Sequence, residues 1–334
     1  MKQIIIGYIN IKRLNITKKK NPKISIIVYC LNNIYLKKTI NSIQNQQNID
    51  FEIILIYENT TNLDLTKENF QIYQNIKIIQ NKKAKGILSS FLFGVEESKG
   101  EFFLFLKSGE TLATEEVLIN LYNIIRNSSY DILEFNLLIN NNDYIKENSL
   151  RLYRCQHIKS QINFDSFKYN KNYRGLDQEE DLITNKLIRT GFFKKIMIKY
   201  KLNENKKNIN IYYNKIILSL LLKESPKIIH IEIFGVIVYI NIIKLIYINN
   251  IFNNEQKIKE SIFYINFLSE NTNNSLKEKE YVLYEFFNVL SIIFNKFNKN
   301  NLESNKLYKK FLNCKYISKL NKNKLIFYYQ SLLN

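Results

Sequence analysis

The sequence predicts an α/β protein in which a mostly parallel sheet is flanked by helices. Short apolar runs rich in β-branched residues alternate with segments whose apolar residues recur at helical spacing. This alternation predicts parallel strands, because each connecting helix carries the chain back across the sheet. The length of 334 residues, 46% of them hydrophobic, is enough for one large domain or two modest ones.

The first third of the chain contains four predicted strands and two predicted helices. Leu36, Ile40 and Ile43 fall at helical spacing after the first strand, and a second helix, "GILSSFLFGVEESKG", closes at Gly100. The strands are apolar over their whole length, which is typical of strands buried on both faces. They are "KISIIVY" (23–29), "FEIILIY" (51–57), "IKIIQN" (76–81) and "EFFLFL" (101–106).

The rest of the chain predicts further elements of the same kind and then a helical C-terminal segment. A helix begins near Thr114 and the strand "YDILEFNLLI" follows it, whereas the polar residues 150–180 predict a lid or a simple insertion. "TNKLIRTGFFKK", "YYNKIILSLLLKE" and "IIHIEIFGVIVYI" predict a helix, a helix and a strand. Amphipathic segments after residue 252 predict helices packed on the sheet domain. The predicted units are an N-terminal extension (1–20), the sheet domain (21–250) and the helical segment (251–334).

The protein is basic, and its formal charge of +19 has two competing explanations. One is contact with a polyanion such as nucleic acid or an anionic membrane. The other is the codon supply of an A/T-rich genome, since Ile, Asn, Lys, Tyr and Phe dominate throughout. The lysines are dispersed, and the aromatic residues do not interleave with arginines as single-strand binders require. The dispersed pattern favours the compositional explanation.

Cysteine and histidine usage excludes several classes of site. Cys30, Cys155 and Cys314 are odd in number, widely spaced and without a CxxC pair, so they predict neither a disulfide framework nor a zinc site. His157 and His230 are the only two histidines, which argues against a histidine metal cage or a Ser-His-Asp triad.

Neither a secretory signal nor a membrane span is predicted. The apolar run at the N-terminus is short and soon interrupted, so the predicted location is cytoplasmic. Residues 228–248 are strongly hydrophobic, but they include Glu232, Asn241 and Lys244, each costly at the centre of a bilayer. A buried strand followed by an amphipathic helix is the better interpretation.

Polar residues follow three of the predicted strands. In open sheets of this kind, ligands bind outside the carboxyl ends of the strands, where the strand order changes direction. Candidate binding residues are therefore those after the first, second and fourth strands: Asn32, then Tyr57 and Glu58, then Lys107, Ser108, Gly109 and Glu110.

The first 240 residues resemble the nucleotide-sugar glycosyltransferases of family 2, which have the Rossmann-like GT-A fold. The resemblance rests on five segments in the order and spacing of that family. They are "PKISIIVYCLNNIYLKKTINSIQNQ", "FEIILIYENTTN", "NKKAKGILSSFLFGVEESKGEFFLFLKSGE", "TNKLIRTGFFKK" and "IIHIEIFGVIVYI". The last 80 residues are not covered by it.

The resemblance implies hexosyl transfer from a nucleoside-diphosphate sugar to an acceptor hydroxyl. In that reaction a divalent cation, Mg²⁺ or Mn²⁺, held by carboxylates balances the charge of the leaving diphosphate. A separate carboxylate removes the hydroxyl proton, and an acid after the second strand contacts the nucleoside. Neither the sugar nor the acceptor can be inferred from the sequence.

On the donor side, the sequence departs from the family pattern in two places. The two aspartates of the family fall at Tyr57 and Glu58, so one acid remains. The family arginine falls at Phe91, while Gly86 and Gly94 keep their places around it. The resemblance therefore implies donor contacts from Asn32, Tyr57, Glu58, Gly86, Lys107, Ser108 and Gly109.

At the metal and base positions, the sequence departs further. The metal-binding aspartates fall at Lys107 and Gly109, with Glu110 in the place of a third acid. The catalytic acid pair falls at Tyr213 and Asn214, and an amide cannot take up a proton. These changes predict that the usual metal-dependent transfer is lost and that no metal cofactor is bound.

Three hypotheses about the function stay open on the sequence alone. In a metal-independent transferase, Lys107 would compensate the diphosphate as a point charge, and Glu58 would hold the nucleoside. Its base would be Glu110 or a member of the acidic cluster Asp177, Glu179, Glu180 and Asp181. The second hypothesis is a non-catalytic scaffold protein that binds a ligand or a partner. The third is a basic protein that binds nucleic acid or a membrane surface.

Overall fold

The computed structural model describes ten stretches of the chain. They are residues 21–30, 35–58, 75–81, 85–140, 150–153, 183–202, 209–210, 213–224, 226–239 and 254–271. Within them the chain forms nine strands and six helices. The strands are β1 (Ile24–Cys30), β2 (Phe51–Glu58), β3 (Ile76–Asn81), β4 (Phe102–Lys107), β5 (Thr111–Leu112), β6 (Ile132–Asn140), β7 (Leu150–Tyr153), β8 (Lys186–Arg189) and β9 (Ile228–Tyr239). The helices are α1 (Leu36–Gln44), α2 (Gly86–Glu97), α3 (Val117–Ile125), α4 (Thr190–Lys199), α5 (Tyr213–Lys223) and α6 (Asn254–Asn271).

All nine described strands belong to one sheet, in the order β3-β2-β1-β4-β8-β6-β9-β5 with β7 paired to β6. Six of them, β1, β2, β3, β4, β6 and β9, run in one direction, and β5, β7 and β8 run in the other. The chain moves outward from β1 to β3 and then returns to place β4 on the other side of β1. The order therefore reverses at β1, and the crevice expected for a ligand lies at the carboxyl ends of β1 and β4.

Helices cover both faces of the sheet, as the sequence predicts. The protein has two hydrophobic cores, one on each face of the sheet, and successive residues of β1 belong to them in alternation. Ile27 packs with residues of α2, α4, α5 and α6, and Ile26 packs with residues of α1 and α3. We call these the α2 face and the α1 face. Because side chains alternate along a strand, each strand residue near the crevice can be assigned to one face.

The helix α6 contributes directly to the core on the α2 face. Tyr264, Ile265, Phe267 and Leu268 are buried in the same cluster as residues of α2, α4 and α5. The other parts of the predicted helical segment, 251–253 and 272–334, lie outside the described residues.

The prediction of a helix over "TNKLIRTGFFKK" is wrong in its first half. Lys186–Arg189 forms β8, which lies antiparallel between β4 and β6, and the helix α4 begins only at Thr190. Leu187 packs on the α1 face and Ile188 on the α2 face, which is the two-residue alternation of a strand. A strand of four residues is too short to show this period in the sequence.

Residues 228–239 form the strand β9, which agrees with the strand predicted there, and 240–248 lie outside the described residues. Among the helices that the structure describes, none has the length and apolar character needed to cross a membrane.

Candidate functional site

The candidate site lies where β1, β2 and β4 end side by side. Tyr29 is level with Ile56 of β2 and with Lys107 of β4. Tyr29 and Lys107 follow Ile27 and Phe105 by two residues, and those two residues belong to the α2 face. Glu58 follows Ile56 of the same face. The side chains of Tyr29, Glu58 and Lys107 therefore line one edge of the sheet beneath α2 and α5.

Glu58 binds the N-terminus of α2. Its side chain is buried, and Oε1 accepts hydrogen bonds from the backbone N–H groups of Lys85 (3.0 Å) and Gly86 (2.9 Å). A carboxylate at this end of a helix is also stabilised by the helix dipole. Burial raises the pKa of the Tyr29 hydroxyl, and the charge of Glu58 and its hydrogen bond with Tyr29 raise it further. Glu58, Tyr29 and the first turn of α2 thus form one buried unit.

Lys107 and Glu110 form a buried ion pair in the turn after β4. Lys107 Nζ lies 3.1 Å from Glu110 Oε1, and the two side chains are 5% and 4% exposed. The other carboxylate oxygen, Oε2, accepts hydrogen bonds from Lys107 N (2.8 Å) and Thr184 Oγ1 (3.0 Å). The carboxylate therefore closes the turn on itself and joins it to the residues just before β8.

The turn itself depends on Gly109. This residue has φ 99°, a conformation that favours glycine and strains an aspartate. Its N–H donates to Thr39 Oγ1 of α1 (2.8 Å), and the N–H of Ser108 donates to the carbonyl oxygen of Tyr29 (2.9 Å). The amides of Ser108 and Gly109 are thus already engaged within the protein.

Tyr213 and Asn214 begin α5, above the end of β4. Asn214 is buried, and its Oδ1 accepts a hydrogen bond from the N–H of Ile183 (3.3 Å). The Tyr213 ring is fully buried, with its centroid 6.2 Å from that of Phe105. Neither side chain is a carboxylate, and Asn214 supports the segment that carries Thr184.

Two predicted donor-side positions point away from this edge. Tyr57 lies on the α1 face, next to Glu58 in sequence but on the opposite side of the sheet. Phe91 is on the α2 face but fully buried, with its ring in edge contact with those of Phe103, Phe105 and Phe193. The structure therefore brings Glu58, Gly86, Lys107, Ser108, Gly109, Glu110 and Asn214 together, and it separates Tyr57 from them.

Other predicted positions lie outside the described residues. Asn32 is one, and the acidic cluster Asp177, Glu179, Glu180 and Asp181 is another. Tyr29 and Thr184 also belong to the site, although the sequence does not predict either of them. Tyr29 lies inside an apolar predicted strand, and Thr184 lies in the segment for which the sequence predicts a helix.

The side chains at the turn after β4 are unsuited to bind a divalent cation. An ammonium group occupies the neighbourhood of Glu110, and Gly109 offers no side chain. Within the described stretches, no group of three or more His, Cys, Asp or Glu side chains is arranged to hold a metal ion.

A second charged cluster, half-buried and not predicted from the sequence, lies in one row across β8, β6 and β9. Glu134 is level with Lys186 and His230, and its carboxylate lies 2.9 Å from Lys186 Nζ and 3.6 Å from His230 Nδ1. Lys186 Nζ also donates to Asn185 Oδ1 (2.7 Å). Burial alone would raise the pKa of Glu134, but the charge of Lys186 and the polar contacts with His230 and Lys186 outweigh it and lower that pKa to about 2.

This depressed pKa predicts an acid-sensitive contribution to stability. The contribution is present above the ordinary pKa of a glutamate, and it is lost as the pH falls through about 2. It amounts to roughly 3 kcal/mol of unfolding free energy at neutral pH. Urea unfolding at pH 7 and pH 3 is expected to show a smaller pH dependence for Glu134→Gln than for the wild type. The exposed Glu116→Gln is the control, and an unchanged pH dependence in Glu134→Gln would contradict the assignment.

The sheet order and the helices on both faces define the class of fold, which is that of the GT-A proteins. The structure is similar to the crystal structure of S. aureus TarS 1–349, with a TM-score of 0.60 and 16% identity over 87% of this chain and 79% of that one. It is also similar to TarS 1–349 in complex with UDP-GlcNAc, with a TM-score of 0.60 and 15% identity over the same shares. For the crystal structure of TarS, the TM-score is 0.59 at 16% identity, over 87% of this chain and 48% of that one. These similarities confirm the predicted fold.

The family follows from the sequence itself. The family model described as glycosyl transferase family 2 matches residues 25–197, just over half of the chain. This chain therefore belongs to glycosyl transferase family 2. A search of curated proteins gives no match to it.

Proposed function

We propose that this protein binds a nucleoside-diphosphate sugar at the carboxyl ends of β1, β2 and β4 and that it does so without a divalent cation. Family membership supports the ligand class, and TarS, which has the same fold, has been crystallised with UDP and with UDP-GlcNAc. The observation that carries the proposal is the buried ion pair of Lys107 and Glu110, at the position to which the family resemblance assigns the metal.

Charge balance supports the replacement of the metal. Two carboxylates and a divalent cation sum to zero charge, and so do one ammonium group and one carboxylate. The Lys107–Glu110 pair therefore keeps the site neutral by itself, whereas a cation added beside Lys107 would meet like charge. An ammonium group can approach a diphosphate directly as a point charge.

The proposal does not include the usual transfer step. Asn214 cannot accept a proton, and Tyr213 is fully buried. Glu110 Oε1 lies in an ion pair with Lys107 Nζ, and Oε2 accepts hydrogen bonds from Lys107 N and Thr184 Oγ1. Among the described residues the proposed base position holds no carboxylate, and we therefore propose donor binding without metal-dependent hexosyl transfer.

A second candidate, a non-catalytic scaffold that binds no nucleotide, is favoured by one observation. The backbone amides that could hold a diphosphate are bonded within the protein. Those of Lys85 and Gly86 donate to Glu58, and that of Gly109 donates to Thr39. A scaffold would keep this arrangement closed, whereas a donor-binding protein must open part of it.

A thermal-shift titration distinguishes the two candidates. The wild type is titrated with UDP, GDP and UDP-sugars, each with and without Mn²⁺. We expect one nucleotide to raise the melting temperature by several degrees irrespective of Mn²⁺, since a ligand at roughly 100 times its Kd adds about 2.7 kcal/mol. The double variant Lys107→Met with Glu110→Gln, which removes both charges together, is expected to lose this shift.

The variant Lys199→Met, which breaks an exposed ion pair with Glu224, serves as the control and should keep the shift. A shift that requires Mn²⁺ would contradict the metal-free site. The absence of a shift with every nucleotide would overturn donor binding and leave the scaffold.

A further inference from the structure

We infer that the helix α6 is part of the donor site and that Glu260 is a positioning residue for the N-terminus of α2. The inference rests on the proposed function for its meaning, because α2 carries the amides that hold Glu58. Its structural basis is a chain of buried polar contacts that runs from α6 to α2.

The chain of contacts begins at Glu260. This side chain is 1% exposed, and its Oε2 accepts a hydrogen bond from the backbone N–H of Asn210 (2.9 Å). Asn210 is itself buried, and its Oδ1 accepts a hydrogen bond from the N–H of Ile87 (3.1 Å). The carbonyl oxygen of Ile209 accepts from the N–H of Leu88 (3.0 Å). Glu260 therefore fixes a short segment that in turn holds two amides of α2.

These contacts complete the first turn of α2. The first amides of a helix have no partner inside the helix and need acceptors from elsewhere. Glu58 accepts from Lys85 and Gly86, and the 209–210 segment accepts from the two residues that follow. The position of Glu58 and that of the 209–210 segment are thus coupled through one helical turn. A shift of Asn210 would move the amides that locate Glu58.

Packing alone does not account for a glutamate at position 260. Its neighbours on α6 include the buried apolar residues Tyr264 and Ile265, so an apolar side chain would suit the same core. A carboxylate withdrawn from water is costly unless donors satisfy it. The family model ends at residue 197, so Asn210 and Glu260 both lie outside it. The helix α6 therefore adds to the family site a support from beyond the matched region.

Hydrogen exchange tests this role without any ligand. Glu260→Leu removes the acceptor for Asn210, and we expect exchange at the amides of 85–88 to become roughly tenfold faster, the ratio for one lost buried hydrogen bond. Glu260→Gln keeps an oxygen acceptor and is expected to exchange like the wild type. Exchange in β1 and β4 reports global unfolding and normalises the comparison.

Two further variants keep the test decisive. Leu268→Ala destabilises the packing of α6 without touching the polar chain, so it should not accelerate 85–88 selectively. Asn210→Ala removes the acceptor of the Ile87 amide, and it replaces Glu260→Leu if that variant does not fold. Selective acceleration in Glu260→Leu or Asn210→Ala supports the inference, and uniform or unchanged exchange overturns it.

The nucleotide titration is then repeated on Glu260→Leu. A smaller thermal shift than in the wild type, with the shift kept in Glu260→Gln, would show that the polar chain serves donor binding. Selective exchange in a protein that binds no nucleotide would leave Glu260 as the positioning residue of α2, and it would overturn the proposed function together with the assignment of α6 to the donor site.

Discussion

Replacement of Lys107 by methionine is expected to lower the free energy of unfolding by about 3–5 kcal/mol, the range for breaking a buried ion pair at one partner. The cause is the carboxylate of Glu110, which stays buried at 4% exposure after its ammonium partner is removed. Methionine has nearly the length of lysine, so little of the loss comes from a cavity. Urea unfolding monitored by circular dichroism measures the change.

The double variant Lys107→Met with Glu110→Gln is expected to regain most of that loss. Glutamine keeps an oxygen that can accept from the backbone N–H of position 107 and from Thr184 Oγ1, and neither side chain of the pair then carries a charge. Lys199→Met at the exposed pair with Glu224 should cost less than about 1 kcal/mol. If Lys107→Met costs no more than this control, the Lys107–Glu110 pair does not stabilise the turn.

The same site shows what the sequence could and could not specify. The sequence predicts the bounds of the strands that end at the site to within about one residue. These strands are buried on both faces, and their sequences are therefore continuous apolar runs that are easily identified as strands. The strands β5 and β7 were not predicted, and β8 was mistaken for part of a helix. Each has four residues or fewer, too few to display a two-residue period.

Spacing placed Glu58, Lys107 and Glu110 at the carboxyl edge, but it could not show their partners. Glu110 accepts a hydrogen bond from Thr184, 74 residues further along the chain, and Glu260 accepts one from Asn210, 50 residues before it. These contacts depend on where β8, α5 and α6 pack against the sheet, and no local sequence pattern predicts that packing. Tyr57 shows the converse, since one residue of offset along a strand sends its side chain to the other face.

Replacement of Phe91 by alanine is expected to lower the free energy of unfolding by about 3–5 kcal/mol. Its ring is fully buried and makes edge contacts with Phe103, Phe105 and Phe193, at centroid distances of 5.8, 5.1 and 5.4 Å. Edge contacts of this kind add to the burial of area. Phe93→Ala, on the same helix but only partly buried, is the matched control and should cost clearly less.

Phe91→Arg would restore the residue that the family resemblance implies at this position, and it separates a binding role from a packing role. A guanidinium group among three phenylalanine rings is buried without a carboxylate partner in the cluster, so the loss should at least equal that of Phe91→Ala. A folded Phe91→Arg protein with a larger nucleotide shift would mean that this side chain reaches the ligand. If the Phe91→Arg protein does not fold while Phe91→Leu does, the side chain at position 91 serves core packing and not donor binding. Since β4 carries Phe103 and Phe105 as well as Lys107, one strand contributes both to this aromatic cluster and to the ion pair with Glu110.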